Sequence, residues 1–579
     1  MKTMLLGNEA VARGLYEAGC HFLSAYPGTP STEIAESAAK YDEVYCEWAP
    51  NEKVAMEAAI GASIAGARSF CAMKHVGLNV AADPLFTVSY TGVNGGMVIA
   101  VADDPGMHSS QNEQDSRHYA VAAKLPMLEP SDSGECLAFT KLAYALSEEY
   151  DTPVLLRTCT RIAHSQSIVE TSERDERSLR PYDKDPGKYV MMPGNAIRRH
   201  PVVEERMKRL AEYAENVEIN RAELGDNAIG FVTSGTCYAY LREIFPEASI
   251  FKLGMVNPLP LARIRAFSEK VQKLIVVEEL DPVIETQLRA AGIRVDGGKD
   301  LFGLCGELSQ NKIRRALGVK CPESITFGET LPPRPPTLCP GCPHRGTFFT
   351  LQKLGVTVCG DIGCYTLGAL PPLAAIDTTV CMGASISALH GFNTVRGAES
   401  AGKTVAVIGD STFMHSGITG LVDIVYNKGI STVIILDNSI TGMTGHQDNP
   451  TTGKTIKGEP CPAVSLEKLC EAIGIGRVRV CDPYALDAFE KVVAEELAVE
   501  APSVIIARRP CVLLPQVKTA PPLHVDPEKC KSCRQCMKIG CPAISFADKK
   551  SSIDPTLCVG CGLCRQMCRF GAILDKEGN

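Results

Sequence analysis

No stretch of the chain is apolar for long enough to span a membrane. Its opening, MKTMLLGNEAVARGLYEAGC, lacks the apolar core of a secretory signal. A strong charge of either sign is also missing. With a net charge of −8 over 579 residues, 45% apolar and 22% charged, nothing indicates a nucleic-acid or membrane partner. No segment is of low complexity. Cysteine, by contrast, is plentiful, with 25 in the chain. Without an export signal, that number points to a reducing, cytoplasmic compartment and to metal ligation instead of disulfides.

Eight of these cysteines fall within the last fifty residues. Cys530, Cys533 and Cys536 are spaced C-x2-C-x2-C and followed by Cys541-Pro542. Cys558, Cys561 and Cys564 repeat the spacing and are followed by Cys568. This is the ligand pattern of a bacterial-type ferredoxin with two 4Fe–4S clusters, in which each fourth cysteine crosses to the other cluster. The expected sets are Cys530, Cys533, Cys536 and Cys568 for one cluster, and Cys558, Cys561, Cys564 and Cys541 for the other. A pair of zinc sites would need four thiolates each, not three plus one crossing. Two departures stand out: four residues separate Cys536 from Cys541, and Arg569 follows Cys568 where proline is usual.

The length suggests three or four domains. GMVIAVAD, AIGFVTSG, KLIVVEEL, KTVAVIGD and TVIILDN read as buried parallel strands, several closing on a Gly- or Asp-bearing turn. Alternating with helical patterns, they predict an α/β protein of several doubly wound domains in series, with the small ferredoxin-type domain at the C-terminal end. The expected divisions are 1–165, a linker or arm over 166–225, then 226–325, 335–517 and the ferredoxin-type residues 523–579. Proline-rich Leu331–Pro336 and Lys518–Pro522 mark two of the boundaries.

Gly409-Asp410-Ser411 directly follows the strand TVAVI, and Asp437-Asn438 ends the strand TVIIL. A carboxylate and an amide carbonyl at adjacent strand tips suit a Mg²⁺ ion that grips a diphosphate, and a helix starting after Gly409 offers backbone N–H groups to the same phosphates. The pair resembles the GDG…NN signature of thiamine diphosphate enzymes, with Ser411 in place of a glycine and Asp437 in place of an asparagine. By that resemblance Asp410, Asn438 and the carbonyl of Ile440 hold the metal. A thiamine enzyme also needs a glutamate on the aminopyrimidine ring. Glu52, nine residues before Gly61 on a small-residue helix, has the fitting spacing, and Glu57 does not.

Together with the tail, these features resemble the 2-oxoacid:ferredoxin oxidoreductase family, and within it the large (alpha) subunits of the indolepyruvate-type enzymes. The likeness extends over nearly the whole chain. YPGTPS at 26–31 is similar to the turn that opens the family's pyrimidine-binding domain, and LCPGCPH at 338–344 to the start of its diphosphate-binding domain. DNSITGMTGHQ at 437–447 is similar to its cofactor-clasping loop, which includes Thr444. Residues 226–325 resemble the transketolase C-terminal-type domain.

The resemblance implies oxidative decarboxylation of an aryl pyruvate to aryl-acetyl-CoA, with thiamine diphosphate and Mg²⁺ as cofactors and coenzyme A as co-substrate. Electrons leave singly through the clusters to ferredoxin. It further implies that Thr29, Arg117 and His75 line the substrate pocket and that Gly383 lets backbone approach the diphosphate. Related enzymes carry a proximal third cluster, for which Cys339, Cys342, Cys364 and Cys511 are the candidates. The tail clusters docking directly against the cofactor is the alternative. The family's gamma-type domain has no counterpart here, which implies a small (beta) subunit and an α2β2 enzyme. A non-oxidative decarboxylase would not need the tail, and a pure electron-transfer subunit would not need Glu52, Asp410 and Asn438.

Overall fold

The computed structural model describes every residue except 324, 326, 327, 333, 401 and 576–579. The chain forms two compact units, residues 1–327 and 328–579.

The first unit is built on a seven-stranded sheet in the order Met255–Asn257, Met127–Leu128, Val154–Cys159, Met97–Asp103, Ser69–Lys74, Phe22–Ala25 and Tyr45–Trp48. All pairings are parallel except that of the edge strand Met255–Asn257. Met97–Asp103 is buried at every position, as its unbroken apolar sequence requires of a strand covered on both faces. A second sheet pairs Lys273–Val277, Asp226–Ser234 and Ala248–Leu253 in parallel, with Arg221–Glu223 antiparallel at its edge. The edge strand 255–257 comes from the region expected to be a separate domain, so the two sheets are knitted together.

The expected arm at 166–225 is mostly ordered secondary structure. Gln166–Glu170 pairs antiparallel with Lys2–Leu6, and Pro193–Asn216 is a 24-residue helix with Pro201 inside it. Arg206 pins this helix by donating to the carbonyls of Asp151 (2.9 Å) and Ser89 (2.6 Å).

The second unit carries a wholly parallel five-stranded sheet in the order Thr357–Cys359, Thr404–Gly409, Thr432–Asp437, Ser503–Arg508 and Val478–Cys481. Successive strand residues point to opposite faces, and two cores result. Val405, Val407, Ile434, Leu436 and Ile505 pack under Phe348, Leu351, Phe489 and Val493 of the helices His344–Leu354 and Leu486–Leu497. Ala406, Ile408, Val433, Ile435 and Ile506 pack under Ile386, Leu389, Leu421 and Ile424 on the other face. Each large side chain buried this way contributes roughly 1.5–3 kcal/mol. Two short antiparallel pairs, Leu523–Val525 with Ile573–Asp575 and Ile544–Ala547 with Lys550–Ile553, frame the cysteine-rich tail. Leu486, Phe349 and Tyr484 share a core with Ile539, Ile544 and Leu563 of the tail. Among the described residues no helix is long and apolar enough to cross a membrane.

Candidate cofactor and cluster sites

A parallel sheet gathers its functional groups at the carboxyl ends of its strands, and the second unit follows that rule. The strand Thr404–Gly409 delivers Asp410, and Thr432–Asp437 delivers Asn438. Asp410 is buried. Burial, together with the nearby Asp437 carboxylate, pushes its pKa up to about 7 against the pull of the Ser411 N–H at 2.9 Å. One corner of the Asn438 amide lies 3.2 Å from Asp410 Oδ1 and 2.8 Å from the Ile440 carbonyl oxygen. With nitrogen at that corner the amide donates to both acceptors. With oxygen there, three oxygens face one another, an arrangement that a small divalent cation satisfies. One carboxylate oxygen and two carbonyl oxygens around one point fit a Mg²⁺ site.

Asp437 faces elsewhere. It accepts from Arg508 Nε at 2.6 Å and from the Ser439 N–H at 3.2 Å. Ser411 Oγ accepts from Thr441 Oγ1 at 2.9 Å, and Thr444 and Gln447 close the loop at 2.5 Å between their side-chain oxygens. Phe413–Gly417, just after Asp410, is a single π-helical turn, a form that recurs at functional sites. Gly383 has φ +87°, and a Cβ there would lie 2.5 Å from Ser416 Cβ, so only glycine fits. Its N–H and that of Ser385 both donate to Asp361 (2.8 and 3.0 Å). Asp361 therefore organises the start of the helix Ala384–Arg396. Its role lies in a pairing across twenty-two residues that no short motif reveals.

The structure brings Cys339, Cys342, Cys364 and Cys511 together on the same rim. Burial pushes the Cys342 thiol up to about 12, with Cys339 and Cys364 adding to the effect. It pushes Cys364 up to about 11, with Cys339 and Cys511 adding. The Cys511 N–H donates to the Asn438 carbonyl at 2.9 Å, and a Cβ on Gly442 would lie 3.4 Å from Cys364 Sγ. Cys364 and Cys511 therefore sit against the loop that carries the oxygen trio, with Cys339 near both, a set of thiols of the kind that holds a cubane.

In the tail, one small cavity is lined by Cys541, Cys558, Cys561 and Cys564, and another by Cys530, Cys533, Cys536 and Cys568. Those are the two crossed sets. The Leu523 and Gly560 N–H groups donate to Cys558 Sγ (3.4 and 3.5 Å), and the Ala572 N–H donates to Cys568 Sγ (3.3 Å). Such bonds to sulfur tune a bound cluster. Among the described residues no three His, Cys, Asp or Glu side chains converge as a single-ion site requires. A cubane spreads its thiolates over four irons and needs no such convergence.

In the first unit Glu52 opens the helix Glu52–Ile64, capped by Asn51 Oδ1 accepting from the Val54 N–H at 2.9 Å. Its carboxylate packs so closely on Gly77 that a Cβ there would lie 2.5 Å away. His75 is buried on the next helix, its ring nitrogens make no close hydrogen bond among the described residues, and burial lowers its pKa. Thr29 is half-exposed in the YPGTP turn. Lys74, which the sequence did not single out, lies with its stem 3.1 Å from the Cβ position of Gly28 and donates to the Ser109 carbonyl at 2.7 Å. Burial lowers its pKa.

Arg117 does not fit the role of a substrate-carboxylate receptor. It is 1% exposed, and all three guanidinium nitrogens donate within the protein, to Asp115 (2.6 Å), Glu278 (2.6 Å) and the carbonyls of Glu279 and Asp281. It is a buried cross-link between the two sheets of the first unit.

Three family models match the chain: the thiamine diphosphate-binding domain of pyruvate flavodoxin/ferredoxin oxidoreductases over residues 13–226, the C-terminal thiamine pyrophosphate-binding domain of thiamine pyrophosphate enzymes over 361–507, and a 4Fe–4S binding domain over 552–574. The chain is 40% identical to the indolepyruvate oxidoreductase subunit IorA of Archaeoglobus fulgidus, over 100% of this chain and 98% of that one. It is likewise 40% identical to the protein of that name from Thermococcus kodakarensis, over 100% and 98%. A solved 2-oxoglutarate:ferredoxin oxidoreductase from Magnetococcus marinus aligns at 19% identity with a TM-score of 0.47, over 55% of this chain and 65% of that one.

Proposed function

Because the chain belongs to the indolepyruvate oxidoreductase large subunits of the 2-oxoacid:ferredoxin oxidoreductase family, we propose that it is the catalytic subunit that oxidatively decarboxylates aryl pyruvates such as indolepyruvate. The overall balance is 2-oxoacid, coenzyme A and two oxidised ferredoxins giving acyl-CoA, CO2, two reduced ferredoxins and a proton. Thiamine diphosphate, when bound, supplies the electron sink that decarboxylation of a 2-oxoacid needs.

The chain's own groups then have distinct tasks. Asp410, Asn438 and the Ile440 carbonyl hold Mg²⁺ against the diphosphate, and Gly383, Gly409, Ser411 and Thr444 shape its cradle. Glu52 holds the pyrimidine by a hydrogen bond that moves a proton at its ring nitrogen. Thr29 and His75 face the substrate's carbonyl region, and Lys74, in place of Arg117, supplies a buried positive charge beside the YPGTP turn. Cys339, Cys342, Cys364 and Cys511 hold a third, proximal cluster, and the two tail sets pass electrons on to ferredoxin. A gamma-type beta subunit completes an α2β2 assembly.

One observation carries the reading: the oxygen trio and the Cys339–Cys511 group share one rim of one sheet. The test is anaerobic, on purified chain with and without a co-expressed gamma-type subunit. Indolepyruvate and coenzyme A are added, cluster bleaching is followed in the visible, and iron and thiamine are quantified. Substrate-dependent bleaching with about twelve irons per chain is expected for three cubanes, and about eight would remove the proximal one. Full clusters and bound thiamine with no bleaching by any 2-oxoacid would sink the oxidoreductase reading.

A further inference from the structure

Arg345, in the CPGCPHR segment, reaches both the proximal cysteines and the tail through its side chain. It is 2% exposed, on the first turn of the helix His344–Leu354. On one side its Nε donates to the Cys339 carbonyl at 3.0 Å and its Nη2 to the Leu338 carbonyl. On the other side its Nη1 donates to the carbonyls of Ile539 (3.1 Å) and Gly540 (2.5 Å), and Gly540 immediately precedes Cys541. Burial opposes the guanidinium's charge, the sulfurs of Cys541, Cys342, Cys339 and Cys561 favour it, and among the described residues no carboxylate pairs with it. Tyr484 closes the same seam by donating to the Gly341 carbonyl.

A buried guanidinium without a carboxylate partner is costly, and four neutral carbonyls satisfy its donors without cancelling its charge. Its counter-charge must come from elsewhere. Thiolate-bound cubanes are net anionic, and reduction adds one more negative charge. A fixed cation wedged between two of them therefore stabilises the reduced form of each, and of the two tail centres it acts on the one whose ligand Cys541 follows carbonyl 540.

We infer that Arg345 is a positioning residue that raises the reduction potential of the centre held by Cys541, Cys558, Cys561 and Cys564 relative to that of the other tail centre. This rests on the cluster reading given above. The charge, and not the cubane ligands, sets the order of the two tail centres.

The experiment is an EPR-monitored redox titration of the full chain, as wild type, R345Q and R345K, with iron counted on each sample. In R345Q one of the two tail signals should need about tenfold more reducing conditions at half-reduction, a shift of about 59 mV for a one-electron couple, while the other signal stays in place. R345K, which keeps the charge but loses the fork, should recover most of the wild-type potential. Unchanged potentials in an iron-replete R345Q, or equal shifts in both centres, overturn the inference. If R345Q fails to assemble its iron, R345K decides. Wild-type potentials support the inference, whereas failed assembly or a shifted potential shows that the hydrogen bonds matter and the charge does not. A wild-type chain without two 4Fe–4S signals would instead overturn the cluster reading, and the inference with it.

Discussion

At the scale of single residues, buried charge dominates the first unit. Arg117 and Arg157 sit among Asp103, Asp115, Glu129 and Glu278 with contacts of 2.6–2.7 Å. Burial opposes the Asp115 charge, but the Arg117 and Arg157 guanidiniums more than offset it and hold the carboxyl below its usual range. Removing one arginine strands carboxylates in a dry interior, so R117A should lower the stability of that unit by about 3–5 kcal/mol. Denaturant unfolding measures this. A substrate-binding arginine would instead raise KM and leave unfolding unchanged.

Glu279 behaves in the opposite sense. Burial pushes its pKa up to about 7 despite the Leu308 N–H at 3.1 Å. Its folded pKa therefore lies above the usual 4.5, and its contribution to stability is complete below about pH 4.5 and lost as pH rises through 7. The shift corresponds to about 3 kcal/mol. Thermal unfolding across pH 5 to 8 should show the wild type losing midpoint relative to E279Q, and parallel curves would contradict it.

At the scale of elements, the parallel strands were legible because a strand covered on both faces needs an unbroken β-branched run, and TVAVI and TVIIL have one. The helix Pro193–Asn216 was not, because it is polar along most of its length and carries Pro201, and its hold on the unit comes from Arg206 reaching carbonyls far back in the chain. The same logic divides the site residues. Cysteine spacing pointed to both tail sets because each run is close in sequence, whereas Glu278, Gly383 and Ile539, the distant partners of Arg117, Asp361 and Arg345, lie 161, 22 and 194 residues away.

The proximal cysteine group is itself an assembly of three elements: the CPGC turn, the segment after strand Thr357–Cys359 and the segment after strand Ser503–Arg508. Replacing one ligand should empty only that assembly. C364S should lose about four irons per chain while both tail signals persist, as iron analysis and EPR on one sample can show.

At the scale of the whole molecule, both thiamine-type halves occur in one chain, and cofactors of this kind usually lie between halves from different chains. The isolated protein should therefore run at twice the 62.1 kDa of one chain by light scattering. Adding the gamma-type subunit should shift the mass by two further copies of that partner.

Gly341 has φ +68°, and a Cβ on it would lie 2.2 Å from Val559 Cγ2, while Gly560 presses as closely on Ala520 and Pro521. With Leu486 and Phe349 sharing the tail's core, the cysteine-rich end is clamped to its neighbour instead of hanging on a tether. Carrier domains that swing between stations are slowed by solvent friction. Here nothing has to diffuse, so raising the viscosity with sucrose should leave the internal electron-transfer rate unchanged in a rapid-mixing experiment, and only the encounter with free ferredoxin should slow.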